Sequence, residues 1–190
     1  MSENTKIEWC DATLNAWWGC TKVSDGCKFC YAEELSDNRY GGNAWGPGGV
    51  RKEVKSWLAT LNKISNRAKA ENRRLKVFCQ SMSDTFEGPE TMGGLDSENW
   101  KLVSRLRLEL FRAIKDHPEL DFLVLTKRPE SVGPFIYYSK IDAEKEWATH
   151  GEDLRWWLND CRLGDQPPNA WIGTLVEDQK TADARILPLR

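Results

Sequence analysis

The feature that most constrains the fold of this chain is a pattern of short apolar segments, each followed by polar residues and then by a helical segment. Residues 75–79 and 121–125 are apolar runs with β-forming side chains, and a polar cluster follows each of them directly. Residues 170–176 repeat this pattern, and residues 13–15 form a shorter candidate strand. Four strand-then-helix units in series predict an α/β protein with a parallel sheet.

Helical segments alternate with these strands, which strengthens the prediction. Residues 30–39 and 56–72 have helix-forming compositions. The clearest helix begins at a capping residue, Asp96 or Ser97, and ends before Pro118. Its apolar stripe consists of Val103, Leu106, Leu110 and Ile114.

The polar residues that follow the strands are expected to meet at one edge of the sheet. In parallel α/β sheets, ligands gather outside the carboxyl ends of the strands. Residues 81–84, 126–128 and 177–179 follow three of the strands here, and the first strand leads into a loop with three cysteines. The sequence therefore predicts one rim that carries the functional groups.

The length of the chain indicates a single domain with one insertion. Its 190 residues can bury a core of their own, so residues 1–190 are interpreted as one α/β domain. Residues 137–168 form a polar and aromatic insertion with three tryptophans, which we expect either to lie over the rim or to form a cap on the barrel side. Four parallel strands would leave exposed sheet edges, and residues 184–190 resemble a helix interior. We therefore expect the N-terminal part of a larger, TIM barrel-like (βα) barrel, with about four βα units present.

The composition is that of a water-soluble protein from a reducing compartment. The amino end lacks the apolar segment of a secretory signal, and no apolar run approaches the roughly 20 residues of a membrane span. We therefore expect a cytoplasmic protein without a membrane partner, in which clustered thiols are metal ligands and not disulfides. A formal net charge of −2 argues against non-specific nucleic-acid binding as the main task. Either a solvated helix face or a phosphate-binding patch can account for Arg67, Lys69, Arg73, Arg74 and Lys76.

Three of the six cysteines form a compact motif that predicts a metal site. Six residues separate Cys20 from Cys27, and two separate Cys27 from Cys30. A structural zinc site needs a fourth ligand, for which Cys10 is the best candidate. Three thiolates without a fourth are what a four-iron cluster requires if one iron is to stay open for a ligand. Both kinds of site are compatible with the spacing.

The cysteine motif carries a resemblance to the radical SAM superfamily. Its segment from Cys27 to Cys30, in which Phe29 precedes the last cysteine, follows a first strand and precedes repeated βα units, as in the cluster loop of that superfamily. In more detail, the chain resembles the phage-associated three-cysteine-motif family, placed in or near this superfamily. Most of the superfamily spaces the first two cysteines by three residues, whereas six lie between them here, with Gly19 and Gly26 as flexible corners. The matching segments are residues 7–9, 18–24, 26–27, 30–33, 81–84, 125–130 and 177–179.

The resemblance implies a partial (βα) barrel of the radical SAM type with a cofactor site on its rim. Cys20, Cys27 and Cys30 would hold a 4Fe-4S cluster whose open iron binds the amino and carboxylate groups of S-adenosylmethionine. Phe29 would pack beside the adenine, and Glu177 would accept hydrogen bonds from the ribose. Contacts to the methionine amino group are implied for Ser81, Ser83 and Asp84, and contacts to its carboxylate for Lys127 or Arg128.

Several of these residues also have a purely structural interpretation. Asp84 can cap a turn, and Glu177 lies where a helix begins. Lys127 and Arg128 can be surface charges before a proline. Cys79, inside an apolar strand, is expected to be an inert buried thiol.

The function implied by the resemblance is an iron-sulfur enzyme that reductively cleaves S-adenosylmethionine and abstracts hydrogen from a substrate. The phage association implies a nucleic-acid-related substrate and, for a phage-encoded protein, the cytoplasm of a bacterial host. An electron donor is also implied, and a partner protein could complete the barrel. The competing hypothesis is a zinc-stapled module without catalysis, in which Cys10 completes the metal site and the tryptophans and the basic helix contact nucleic acid.

Overall fold

The computed structural model describes residues 2–145 and 168–189, which form an α/β arrangement around a parallel sheet. The strands are β1 (Ala12–Leu14), β2 (Trp17–Trp18), β3 (Lys52–Glu53), β4 (Leu75–Cys79), β5 (Leu120–Thr126) and β6 (Ala170–Thr174). The helices are α1 (Tyr31–Tyr40), α2 (Trp57–Glu71), α3 (Glu98–Asp116), α4 (Val132–Lys145) and α5 (Gln179–Ile186).

The central sheet contains β1, β4, β5 and β6 in that order, and all neighbouring strands are parallel. Val77 of β4 lies between Ala12 of β1 and Phe122 of β5, and Phe122 pairs in turn with Ala170 of β6. The predicted parallel sheet is therefore confirmed. The described strands form an open sheet and not a closed barrel, and a barrel of the radical SAM type stays a prediction.

A second, two-stranded sheet is not predicted by the sequence pattern. The pair Trp17–Trp18 lies antiparallel to Lys52–Glu53. Strands of two residues are too short to show the alternation by which a strand is recognised in a sequence. This pair joins the start of the cysteine-bearing loop to the segment that follows the glycine-rich residues 41–49.

The hydrophobic core packs α2, α3 and part of α4 against the central sheet. In β5, Leu120, Phe122 and Val124 are buried and alternate with more exposed residues, as expected for side chains that point to opposite faces of a sheet. The predicted stripe of α3 is buried as a whole: Val103, Leu106, Leu110 and Ile114 are each at most 2% exposed.

The start of α3 provides a test of helix capping with a control in the same chain. The Ser97 hydroxyl accepts a hydrogen bond from the Trp100 backbone N–H at 3.1 Å, whereas Ser56 occupies the same position of α2 without such a bond. We expect Ser97→Ala to lower the free energy of unfolding by about 1 kcal/mol, because one backbone donor loses its partner. Ser56→Ala should change it little. Urea denaturation of both variants checks this, and equal losses would contradict the assigned cap.

The predicted single domain and its insertion are not tested by the described residues. Residues 137–145 of the predicted insertion belong to α4, and residues 146–167, with the three tryptophans, lie outside the described residues. The single domain and its insertion therefore stay predictions. None of the described helices is long and apolar enough to cross a membrane.

The basic residues at the end of α2 are engaged in ion pairs. Arg73 contacts Asp11 at 2.9 Å and Glu71 at 2.7 Å. Arg74 contacts Asp121 at 2.6 Å. Exposed pairs of this kind contribute little to stability, so they are compatible both with a solvated helix face and with a phosphate patch. Further pairs join Arg67 to Glu71 and Lys69 to Glu119.

Candidate metal and cofactor site

The segments that follow β2, β4 and β5 meet at the carboxyl edge of the sheet, as the sequence predicts. We call residues 19–30 the cysteine loop. Its Gly19 backbone N–H donates to the Met82 carbonyl at 3.0 Å, and Gly19 forms a parallel bridge with Ser83. From the other side, Arg128 Nη1 donates to Cys20 Sγ at 3.7 Å. Polar groups from separate strand ends therefore contact the cysteine loop.

Gly19 is required where the cysteine loop leaves β2. Its φ angle is +112°, a conformation that side chains disfavour. A Cβ atom at this position would lie 2.4 Å from the Ala44 carbonyl oxygen and 2.9 Å from Arg51 Cδ. The glycine-rich segment and the cysteine loop can therefore pack together only without a side chain here, and the Gly46 backbone N–H then donates to the Cys20 carbonyl at 2.9 Å.

The three cysteines of the motif occupy different local structures on one loop. Cys20 follows β2, Cys27 ends the 3₁₀ turn Asp25–Cys27, and Cys30 is the N-terminal cap residue of α1. All three are partly exposed, and no disulfide joins the cysteines of the described ranges. Free thiols on one loop are the donors that both zinc and iron-sulfur clusters use.

The cysteines also differ in their tendency to ionise. Burial raises the pKa of Cys20 to about 12, in spite of the neighbouring Arg128 guanidinium. Burial acts in the same direction on Cys27, but backbone hydrogen bonds and the Lys127 ammonium outweigh it, so the pKa of Cys27 is lowered. Cys27 is therefore the more readily ionised of these two thiols. Cys79 is fully buried in β4, where burial raises its pKa, as expected for an inert thiol.

The three thiols are not grouped around one point in the described structure. Within residues 2–145 and 168–189, no three His, Cys, Asp or Glu side chains are grouped so that they could hold one ion. A closed zinc site places every sulfur about 2.3 Å from the same ion, whereas a four-iron cluster offers each thiolate a separate iron. Cys10, the predicted fourth zinc ligand, is not part of the cysteine loop: it precedes β1 and lies beside the Phe78 backbone of β4. The grouping of the side chains therefore decides between neither kind of site, and both the zinc site and the iron-sulfur cluster stay predictions that rest on the donor chemistry.

Asp84 uses both carboxylate oxygens within the protein. Its Oδ1 accepts from the Phe86 backbone N–H at 3.0 Å and from Thr126 Oγ1 at 2.7 Å. Its Oδ2 accepts from the Lys127 backbone N–H at 3.1 Å and from Arg128 Nη1 at 2.9 Å. In this structure the carboxylate thus positions the residues that follow β5. The contact with a methionine amino group stays a prediction.

Arg128 joins Asp84 to the cysteine loop. Its Nη2 donates to the Thr21 carbonyl at 2.6 Å and lies 3.8 Å from Glu87 Oε1, and its side chain is only 5% exposed. Burial opposes the charge, but Asp84, Cys20 and Glu87 together raise the pKa of Arg128, so the guanidinium is a permanent cation. If Arg128 also bound the methionine carboxylate, as predicted, its guanidinium would contact that carboxylate in addition to these protein partners.

Arg51 and Glu87 form a buried ion pair next to the cysteine loop. The sequence pattern does not predict this pair. Arg51 Nη2 donates to Glu87 Oε1 at 2.7 Å and Nε donates to Oε2 at 3.1 Å, and both side chains are 0% exposed. Arg51 Nη2 also donates to Thr21 Oγ1 at 2.9 Å, and this buried hydrogen bond holds the cysteine loop in place. Both residues border glycine-rich segments without periodicity, where a single charge is typical of the surface.

Glu177 joins the cysteine loop to the segments after β5 and β6. Its Oε1 accepts from Ser24 Oγ at 3.1 Å, contacts Lys127 Nζ at 2.8 Å and contacts Arg185 Nη1 at 3.2 Å. Burial works against ionisation, but these three donors lower the pKa of Glu177 from 4.5 to about 2. The predicted contact with a ribose is not tested by this arrangement.

A cavity of about 660 Å³ lies beside Glu177. It is lined by Val23, Ser24, Asp25, Lys127, Glu130, Glu177, Asp178, Lys180, Thr181, Ala184 and Arg185.

The other predicted cofactor residues differ in whether their polar groups and exposed surfaces are already engaged by protein partners. Ser81 Oγ accepts from Asn15 Nδ2 at 3.1 Å, and its carbonyl accepts from the Tyr31 hydroxyl at 2.9 Å. The Ser83 hydroxyl is buried and has no hydrogen-bond partner among the described residues. The Phe29 ring is 89% exposed. Ser83 and Phe29 therefore retain the most capacity for a bound ligand.

Comparison with known proteins places the chain in a family without an assigned activity. No curated protein and no solved structure matches it at a significant level. A family model matches residues 4–190, which is nearly the whole chain. The chain therefore belongs to the family described as Protein of unknown function (DUF5131).

Proposed function

We propose that this chain is an iron-sulfur enzyme of the radical SAM type, in which Cys20, Cys27 and Cys30 hold a 4Fe-4S cluster. The observation that carries the proposal is the position of three free thiols on one loop at the carboxyl edge of a parallel sheet. Ligands of such sheets bind at this edge. Three thiolates leave one iron of the cluster open for S-adenosylmethionine.

The chain's own residues give the proposed site its shape and charge. When bound, the cluster supplies the electron for reductive cleavage of S-adenosylmethionine, and the protein supplies binding and orientation. Arg128 brings a permanent positive charge to the Cys20 sulfur, and Asp84 fixes the orientation of that guanidinium. The Ser83 hydroxyl and the exposed Phe29 ring offer a polar and an aromatic contact to a cofactor.

The substrate and partners follow from the resemblance to the phage-associated three-cysteine-motif family. We propose a nucleic-acid-related substrate, from which hydrogen is abstracted, and an external electron donor. A partner protein that extends the open sheet is a further part of this proposal, because β1 and β6 are the edges of the described sheet. The cytoplasm of a bacterial host is the proposed compartment.

Metal analysis of cysteine variants tests the cluster. We expect anaerobically reconstituted protein to contain about four irons and four sulfides per chain, and Cys20→Ser, Cys27→Ser and Cys30→Ser each to lose most of this iron. Cys10→Ala is the matched control and should keep it, because Cys10 precedes β1 and is not part of the cysteine loop. One tightly bound zinc per chain that is lost in Cys10→Ala would overturn the proposal in favour of the zinc-stapled module.

Cofactor cleavage tests the activity separately. Dithionite-reduced protein with a full cluster should convert S-adenosylmethionine to 5′-deoxyadenosine, and the Cys30→Ser variant should not. A fully loaded protein that binds S-adenosylmethionine without cleaving it would contradict the assigned reaction but not the cluster.

A further inference from the structure

The six residues between Cys20 and Cys27 include a short segment that packs against Glu177. Ser24 Oγ donates to Glu177 Oε1 at 3.1 Å, and the same hydroxyl lies 3.9 Å from Cys27 Sγ. A Cβ atom at Gly26 would lie 2.4 Å from both Cδ and Oε1 of Glu177. The Glu177 carboxylate therefore rests directly on the backbone of Gly26 and leaves no space for a side chain.

Glu177 is itself held in place from the opposite side. Lys127 and Arg185 contact its Oε1 at 2.8 and 3.2 Å. Arg185 also donates to the Leu175 carbonyl, and it is only 6% exposed. The backbone N–H of Glu177 donates to Thr181 Oγ1 at 2.9 Å within the capping box that begins α5. The carboxylate is thus part of a rigid support at the end of β6.

We propose that Glu177 is a positioning residue that fixes residues 24–27 on the rim and thereby sets the location of the Cys27 thiol. This inference adds to the proposed function. Its statement about the docking of the loop is independent of that function, whereas its consequence for the iron-sulfur cluster rests on it. It gives the long spacing of the motif a physical reason, since the residues between Cys20 and Cys27 include those that dock on Glu177. The polar contacts join Ser24 to Arg185 of α5 through the Glu177 carboxylate, so the cysteine loop is attached to the segment between β6 and α5.

Hydrogen exchange of the metal-free chain tests the docking without any cluster. In Glu177→Ala, backbone amides of residues 22–28 should exchange about tenfold faster, as expected for the loss of charge-assisted hydrogen bonds. Glu177→Gln keeps the shape but loses the charge and should give a smaller increase. Glu130→Ala is the matched control, because Glu130 lines the same cavity and has no ion pair with a described residue. Unchanged exchange in Glu177→Ala, or an equal increase in Glu130→Ala, would overturn the proposal.

A double-mutant cycle separates positioning from a general loss of structure. Gly26→Ala should speed exchange of residues 22–28 in the wild-type background, because the added methyl group displaces the carboxylate. In the Glu177→Ala background the same substitution should have no further effect. Additive effects would mean that the two residues act independently and would overturn the proposal.

Iron loading then tests the consequence for Cys27. We expect reconstituted Glu177→Ala to bind less iron than wild type and to show an altered cluster absorption spectrum, whereas Glu130→Ala should match wild type. If wild type itself binds no iron, the proposed function fails while the exchange data still support or overturn the docking. If Glu177→Ala shows faster exchange but an unchanged iron content and spectrum, Glu177 holds the loop without positioning Cys27, and the inference is overturned in that part.

Discussion

Replacing Arg51 by alanine is expected to lower the free energy of unfolding by about 3–5 kcal/mol, because the buried Glu87 carboxylate loses its closest cation and both hydrogen bonds to it, and Arg128 Nη2 lies farther away at 3.8 Å. Both side chains are 0% exposed, and two hydrogen bonds of 2.7 and 3.1 Å join them. Arg51 also donates to the Ala44 and Gly49 carbonyls. Urea denaturation should show the loss as a lower midpoint with an unchanged slope.

Arg105 provides the matched control for this prediction. It forms ion pairs of 2.7 Å with Glu53 and Glu109, but its side chain is 47% exposed. Solvent screens such pairs, so Arg105→Ala should cost about 0–1 kcal/mol. Similar losses for Arg51→Ala and Arg105→Ala would show that burial of the Arg51 pair does not decide its energy.

Asp84→Ala is expected to be nearly as destabilising, with a loss of about 3–5 kcal/mol. The substitution removes the acceptor of four hydrogen bonds and leaves the Arg128 guanidinium without its nearest carboxylate. Asp84→Asn keeps the shape and should lose less, because its single amide oxygen can still accept from the Phe86 backbone N–H and from Thr126 Oγ1. Some loss remains, because its NH2 group then faces the donors of Lys127 and Arg128. Thermal or urea denaturation of both variants provides the measurement.

Asp183 is the control for Asp84. It lies exposed on α5 and, among the described residues, accepts a hydrogen bond only from Gln179, so Asp183→Ala should stay within about 0.5 kcal/mol of wild type. The stability of Asp84→Ala also distinguishes the two interpretations of Asp84. If the variant keeps wild-type stability and loses only cofactor binding, Asp84 is a ligand of the cofactor and does not position Arg128.

Much of the fold can be predicted because its elements are long enough to show their periodicity. Strands β4 and β5 and helix α3 lie within about one residue of the predicted bounds, since strands with four or more apolar residues and a helix with a repeated 3.6-residue stripe leave few alternatives. The meeting of the strand ends also follows from topology alone, because parallel strands deliver their carboxyl ends to one edge. Contacts of Arg128 with Cys20 and Asp84 agree with that expectation.

The remaining parts of the site depend on contacts between residues that are distant in the sequence, and no short sequence pattern indicates such contacts. Arg51 pairs with Glu87, which is distant from it in the sequence, and the hydrophobic periodicity of a sequence does not indicate such contacts. Both residues also border glycine-rich segments. The docking of Glu177 on Gly26 likewise depends on the three-dimensional approach of the first and last parts of the chain. A sequence can mark Glu177 as a polar residue at a strand end, but its partners are defined only by the packed structure.

The order of the central strands also has a consequence for how the cysteine loop acquires its shape. Ala12 of β1 pairs with Val77 of β4, a contact between residues that are 65 positions apart in the chain. Pairings of this kind form slowly, because a long loop must close before they contribute energy. The bridge from Gly19 to Ser83 and the contact of Cys20 with Arg128 exist only once these strands are assembled. Metal loading is therefore expected to follow folding, in contrast to small zinc domains whose folding is driven by the metal itself.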